Sequence, residues 1–289
     1  MNKKIGLVME GGSMRGMFTA GVIDVFMEKG IDFDGAIGVS AGATFGCNIK
    51  SRQIGRSIRY NMKYSKDPRY GNFKSFLKTG DLYDVQFCYH DIPEKLDKFD
   101  TDTFISNPIE FYVVATDVET GEAVYHKCYD GLNEDLDWIR ASATVPLVSN
   151  IVELGGKKLL DGGIADSVPL KYFESIGYEK NVVILTQPDY YRKTPNKAIP
   201  LAKIKYKNYP KFVEVFSNRH LRYNANIEYI RQQEKANKAF VIKPKEKFDI
   251  KSNEKNPDKL KKVYELGREA AMEAIKIRSL KAWMNIGEY

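Results

Sequence analysis

Histidine is scarce in this chain, with three in 289 residues: His90, His126 and His220. Cysteine is equally sparse. Cys47, Cys88 and Cys128 are odd in number and lack metal-type spacing, which argues against a disulfide framework and for a reduced, cytoplasmic setting. No apolar run approaches the ~20 residues that span a bilayer. The N-terminus "MNKKIGLVMEGG" carries too short an apolar stretch for a signal peptide and reads as a first buried strand. Internal repeats and low-complexity linkers are missing as well. What is present is core-forming: 43% hydrophobic and 12% aromatic residues, enough for one large α/β unit and against wholesale disorder.

The net charge of +7 conceals an asymmetry. Residues 191–289 hold 24 Lys+Arg against 11 Asp+Glu, whereas residues 1–190 hold 21 against 27. A basic C-terminal third suits peripheral contact with an anionic membrane, and a solvated lysine-rich helical face is the equal alternative. None of its basic clusters forms a nucleic-acid motif, so no nucleic-acid partner is expected.

The order of elements is that of a parallel sheet. "KKIGLVM" is a continuous apolar run of the kind buried strands show. "MRGMFTAGVIDVFMEKG" follows with Met14, Met17, Phe18, Gly21, Val22, Val25 and Phe26 on one helical face and Gly30 as a stop. "FDGAIGV" is a second strand and "AGATFGCNIKSR" opens a second helix. Such alternation predicts a three-layer α/β/α fold with right-handed crossovers. Residues 56–108, rich in Tyr, Lys and Asp, are irregular, with one helix near "NFKSFL", and fit a cap over the site. Beyond them come a hairpin around "ETGE", a helix closed by Pro146, and two short strands around Gly155-Gly156. A helix and strand lead to Pro188. Residues 1–190 thus form the core. Residues 191–289 form a mainly helical extension packed on it, with helices over 200–238, a strand at "AFVIKP" and one amphipathic helix from Pro257 to Met284.

Gly38-Val39-Ser40-Ala41-Gly42 fits G-x-S-x-G at a strand-to-helix junction, the context of a nucleophile elbow. The alternative is a small-residue turn with an incidental serine. A nucleophile needs a proton acceptor, and none of the three histidines occupies a short Gly-rich segment after a late strand. A carboxylate is the better partner. Asp161 ends a short strand and precedes Gly162 and Gly163, which permit close backbone approach, so it can be aimed inward at a strand end. It can take the Ser40 proton directly. Asp-Gly is also a common turn pair, and Asp166 is a rival that reads better as part of a helix entry.

Gly11-Gly12-Ser13-Met14-Arg15-Gly16 follows the first strand and opens a helix, so its N–H groups can receive an anion. A dinucleotide loop is disfavoured, because Ser13 replaces the middle glycine and the second strand runs into "GVSAG" rather than ending in an acid. An oxyanion hole fits better. Arg15 either orients this loop, meets an anionic substrate group, or is a simple helix-start arginine.

Together these segments resemble the patatin-like phospholipase family. "EGGSMRG" is similar to its glycine-rich oxyanion motif, "GVSAG" to its nucleophile motif and "DGG" to its aspartate motif. "ATDVETGE" and "RASATVPL" are similar to weaker landmarks of bacterial members, and the resemblance covers roughly residues 5–188. It implies a patatin-like fold with a mostly parallel sheet, Ser40 as nucleophile, Asp161 as its dyad partner, and Gly11, Gly12 and Arg15 in the oxyanion loop. It implies hydrolysis of lipid acyl esters through an acyl-enzyme, without metal or cofactor. The chain departs at Ser13, where many members carry a third glycine. A binding module for lipid or nucleotide, without catalysis, and an acyltransferase using the same dyad are the competing expectations.

Overall fold

The computed structural model describes residues 4–71 and 73–285. Eight strands form one sheet: β1 (Ile5–Met9), β2 (Gly35–Val39), β3 (Glu110–Asp117), β4 (Ala123–Cys128), β5 (Val152–Leu154), β6 (Lys157–Asp161), β7 (Lys180–Ile184) and β8 (Ala239–Ile242). The order is β5-β6-β3-β2-β1-β7-β8, with β4 also paired to β3. From β3 to β8 every pairing is parallel, and β4, β5 and β6 supply the antiparallel part. The β2 run Gly-Ala-Ile-Gly-Val is buried at all its positions, as a central strand covered on both faces must be. The last strand, β8, comes from the basic C-terminal third and pairs with β7, so the extension completes the sheet.

Helices cover both faces: α1 (Met17–Glu28), α2 (Ala41–Gly46), α3 (Arg56–Tyr64), α4 (Phe73–Thr79), α5 (Thr101–Ser106), α6 (Asn133–Ser142), α7 (Leu170–Ser175), α8 (Ile199–Lys205), α9 (Pro210–Lys235), α10 (Pro257–Lys276) and α11 (Leu280–Met284). Their starts follow local chemistry. Asp100 accepts from Thr103 N at 2.9 Å to cap α5, and Asn256 accepts from Asp258 N at 3.0 Å ahead of α10, with Pro257 at its first position.

Three expectations change. Residues 56–108, expected to be irregular with one helix, carry α3, α4, α5 and a further helical stretch, Phe87–Leu96. The one-sided apolar face predicted for α1 is in fact burial all round, from Met17 to Met27. The sheet covers one side of α1 and α10 the other, and the two helices nearly touch at glycines. A Cβ on Gly21 would lie 2.1 Å from Tyr264 O, and one on Gly267 2.1 Å from Phe18 O. The single C-terminal helix is two. Ser279 adopts φ 54°, breaking the helix after α10, and the chain turns so that Trp283 packs against Phe240 of β8 with ring centroids 5.6 Å apart. Arg278 anchors the bend by donating to Val241 O at 2.7 Å.

The α1–α10 contact also encloses a carboxyl group. Burial pushes Asp24 up to about 6, despite hydrogen bonds from Tyr264 OH (2.6 Å) and Gly55 N (3.0 Å) to its Oδ2. The folded chain therefore holds this proton to higher pH than the unfolded chain, whose aspartates titrate near ~3.9. Asp24's contribution to stability is complete below that value and is lost as pH rises to about 6. An asparagine oxygen can accept both hydrogen bonds without the charge. Asp24→Asn is expected to gain on the order of 2 kcal/mol over the wild type at pH 7.5 and little at pH 4. Urea unfolding at both pH values checks this, and a less stable variant at pH 7.5 would contradict it.

Candidate active site

Val39 ends β2 and Ala41 begins α2, leaving one residue, Ser40, to reverse the chain. Its backbone has φ 54° and ψ −120°, a strained region for a residue with a Cβ. The turn is tight enough to demand glycine on both sides. A Cβ on Gly38 would lie 2.2 Å from Gly42 O, and one on Gly42 2.5 Å from Met9 O. Ser40 N donates to Ser142 Oγ at 2.9 Å, so the end of α6 holds the elbow from behind.

Strand register brings Asp161 to this serine. Along Phe111–Val114, β3 has β4 on one edge and β2 on the other. At Ala115 and Thr116, β4 continues on its edge while β6 takes over the edge that β2 has vacated. β2 ends with Val39 opposite Val114, and β6 ends with Asp161 opposite Ala115. The two strands thus run head-on along one edge of β3, and their C-terminal ends meet. Gly162 lies so close to β3 that a Cβ would sit 2.1 Å from Val114 O.

There Ser40 Oγ donates to Asp161 Oδ2 at 2.6 Å, and Asp161 Oδ1 accepts from Gly163 N at 2.7 Å. Both groups are buried. Burial raises the Asp161 carboxyl above its ordinary value. Arg219, the Ser40 hydroxyl, the Gly163 N–H and Lys193 act in the opposite direction. The result is a carboxylate more basic than a free one and aligned on a hydroxyl, which is what a general base requires.

The glycine-rich loop borders the same serine. A Cβ on Gly11 would lie 2.9 Å from Val39 O and 3.1 Å from Ser40 Cβ. Residues Ser13–Gly16 make a 3₁₀ turn, with Ser13 at φ 49°, a conformation that glycine would adopt without strain. Gly11 N has a long contact with Ser167 O at 3.5 Å, and Met14 N one with Ser252 O at 3.4 Å. Among the described residues the Gly12 and Ser13 N–H groups have no acceptor. Ala41 N–H, at the first position of α2, lacks an intrahelical partner. Arg15 N–H donates to Gly12 O at 3.1 Å within the loop, whereas among the described residues its side-chain Nε is buried without a partner.

A cavity of about 130 Å³ opens beside Ser40, lined mainly by apolar atoms of Met14, Phe45, Tyr60, Tyr89, Ile92 and Ile139. Three of these come from residues 56–108, Tyr60 on α3 and Tyr89 and Ile92 on the helical stretch Phe87–Leu96, so this region walls the cavity. The remaining sequence candidates lie elsewhere. His90 pairs with Glu94, His126 with Asp135, and His220 contacts Ser217 O. Asp166 is held by Tyr125 and Asn226. His126, Cys128 and Asp135 bring their ligating atoms within 4.8 Å of one another. Asp135 is already committed, to His126 Nε2 at 2.8 Å and to the N–H groups of Asp130 and Gly131 at 2.7 and 3.0 Å.

Comparison with known proteins gives the chain a family. The patatin-like phospholipase model matches residues 7–174, more than half of the chain. The chain belongs to the patatin-like phospholipase family. A second model, a domain of unknown function (DUF6363), matches residues 209–285. An uncharacterized protein of Escherichia coli, YjjU, is 31% identical over 212 residues, covering 66% of this chain and 54% of its own length. Lysophospholipase nte1 of Aspergillus niger is 26% identical over 193 residues, 61% of this chain and 11% of that protein. The chain therefore spans about half the length, or less, of these relatives. VipD of Legionella pneumophila aligns over 94% of this chain and 66% of its own at 13% identity, with a TM-score of 0.45.

Three polar residues of this patatin-like site have no signature in the sequence motifs. Ser142 lies inside "RASATVPL" but is one small residue among several. Arg219 sits in the middle of α9, outside the patatin-like segment, and donates from Nε to Gly163 O, directly behind the dyad. Lys193 precedes α8 and is pulled down to about 8, chiefly by burial and then by Arg219. No helix among the described residues is long and apolar enough to cross a membrane.

Proposed function

We propose that this protein is a serine acyl hydrolase that cleaves carboxylic esters of lipids through Ser40 and Asp161. The observation that carries this reading is the 2.6 Å contact between Ser40 Oγ and Asp161 Oδ2, with Ser40 in the wall of a mainly apolar cavity. Ser40 Oγ attacks the acyl carbonyl as its proton passes to Asp161. The N–H groups of Gly12, Ser13 and Ala41 are the donors available to the oxyanion, each such donor being worth ~10²–10³ in rate. Collapse of the tetrahedral intermediate expels the alcohol, which leaves with the proton held by Asp161. Water then attacks the acyl-enzyme, gives a proton to Asp161 and releases the fatty acid, and the proton returns to Ser40. The cavity supplies an apolar environment for the acyl chain, which is stabilised by roughly 0.8 kcal/mol for each buried CH₂.

A fluorophosphonate probe followed by peptide mass mapping tests the reading. Modification confined to Ser40 is the expected result. Folded protein that remains unlabelled would instead favour a non-catalytic binding module.

A further inference from the structure

The basic excess of the C-terminal third is concentrated in one stretch. Residues 191–213 hold seven of its 24 Lys+Arg and none of its 11 Asp+Glu. By contrast, α10 carries five cations and four acids.

In the same stretch large apolar side chains meet solvent. Ala202 of α8 and Tyr206 just after it are buried in a cluster with Phe212, the Tyr206 and Phe212 ring centroids lying 4.9 Å apart. The opposite side of α8 leaves Leu201 61% and Ile204 71% exposed. Three residues apart on a helix, these two lie side by side. Lys197, Lys203, Lys205 and Lys207 are exposed around them. A third exposed aliphatic residue, Leu77 at 71%, stands on α4. The carbonyl of Thr79, at the end of that helix, accepts from Asn150 Nδ2 at 2.7 Å, and Ser149 O accepts from Lys205 Nζ at 3.2 Å. Residues 149–150 thus join α4 to α8.

The protein does not offset these cations itself. Farther along the chain Lys243 pairs with Asp189, Lys245 with Glu273 and Lys259 with Asp249. Among the described residues Lys197, Lys203 and Lys207 have no carboxylate within 4 Å. Asp81, the carboxylate that acts on Lys205, already accepts from Asn150 N and Nδ2, each at 2.9 Å. Glu119 pairs with Lys158, which lies over the Tyr209 ring.

Unpaired lysines interleaved with exposed aliphatic side chains match a bilayer surface. The charge is drawn to anionic head groups, and the apolar side chains enter the boundary with the acyl region. A nucleic-acid backbone would use the lysines alone and leave Leu201 and Ile204 in water. The place of the stretch in the fold is consistent with work on lipids. Leu147 N donates to Tyr206 OH at 2.9 Å, and Val145, two residues earlier, lines the cavity beside Ser40.

We infer that α8 and the turn after it form a docking surface for membranes that carry anionic lipids, with Leu201 and Ile204 as the inserted side chains and Lys197, Lys203, Lys205 and Lys207 on the head groups.

Sedimentation with vesicles tests this, and it reads docking without hydrolysis. The wild type is expected to bind phosphatidylcholine vesicles that contain phosphatidylglycerol, to leave them at high salt, and to ignore phosphatidylcholine alone. Lys203→Gln combined with Lys207→Gln lowers the partition coefficient about thirtyfold, at about fivefold per lysine. Leu201→Ser combined with Ile204→Ser keeps the charge and lowers it about tenfold or more. Lys238→Gln combined with Lys261→Gln removes the same charge from exposed positions elsewhere and leaves binding unchanged. All these side chains are exposed, so the three variants are expected to melt with the wild type. A wild type that stays in solution beside anionic vesicles overturns the inference. An equal loss in the Lys238 and Lys261 variant does so too, because binding would then follow net charge alone. Full binding after the Leu201 and Ile204 substitutions would assign the surface to an acidic macromolecule instead of a bilayer.

Discussion

Asp161→Asn is expected to lower kcat for ester hydrolysis by about 10³–10⁴-fold, near the upper end of what a positioned base contributes. The substitution keeps the shape and the hydrogen bond from Gly163 N, because the asparagine oxygen can stand where Oδ1 stands. It cannot take the Ser40 proton. No histidine is near enough to replace it, since all three are engaged elsewhere. The wild-type pH profile carries the same information. Burial raises the Asp161 carboxyl, so the acid limb of kcat/KM lies above the ~3.9 of an ordinary aspartate. Stability moves the opposite way. A raised carboxyl in the folded state means that the ionised form costs folding energy once the pH exceeds the unfolded value. The Asp161→Asn protein is therefore expected to melt no lower than wild type at pH 7 while having lost its activity. A variant retaining more than about a tenth of the wild-type kcat would exclude Asp161 as the base.

The sequence made the dyad legible because its two members sit in segments with strict backbone demands. Gly38, Gly42 and Gly162 are each within 2.5 Å of a backbone oxygen at the position a Cβ would take, so these glycines cannot vary freely and the motifs stand out. The sheet was readable for a related reason. Runs such as "IGLVM" and "GAIGV" are apolar at consecutive positions, and few structures other than a doubly covered strand allow that. What was hidden depends on meetings between distant segments. Nothing local to Arg219 marks it, because its role comes from α9 crossing behind Gly163, 56 residues away along the chain. Ser142 reads as a helix-end serine until the fold sets its oxygen against Ser40 N. The burial of α1 on every side likewise depends on α10, more than 200 residues later. Periodicity reports which face of a helix is apolar, and says nothing of a second partner that covers the other.

The basic C-terminal third looks different in the light of its contacts. Counted as charge, it suggested a surface property. In the fold it contributes the edge strand β8 and the helix that buries α1, together with two cations beside the dyad. The patatin-like segment ends at residue 174, before Lys193 and Arg219. A chain cut there would keep Ser40 and Asp161 and lose β7, β8 and the groups that bias Asp161 toward its charged form. The segment that carries the three motifs is therefore not an independent unit. It depends on residues 175–285 for sheet, core and electrostatics.

Comparing Ser40→Gly with Ser40→Ala isolates the energy stored in the elbow. Both variants remove the hydroxyl, and both leave Asp161 with the same missing donor, so that loss cancels between them. Both are expected to have no measurable hydrolysis above the contribution of the oxyanion donors. They differ in the backbone. Alanine must still hold φ 54° and ψ −120° with a Cβ, whereas glycine reaches that region with little strain. Strain of this kind is of the order of 1–3 kcal/mol. The greater freedom of glycine in the unfolded chain offsets roughly 0.5–1 kcal/mol of that gain. Ser40→Gly is thus expected to be more stable than Ser40→Ala by about 1–2 kcal/mol, the reverse of the usual ranking of these residues beside a helix. Denaturant unfolding of the two proteins under one condition measures the difference. If alanine proved the more stable, the elbow would carry no strain, and the reason for glycine at positions 38 and 42 would reduce to space alone. The expected order means that the fold bears a cost at one residue to keep a hydroxyl pointed at a carboxylate. That cost has a use only if the hydroxyl reacts.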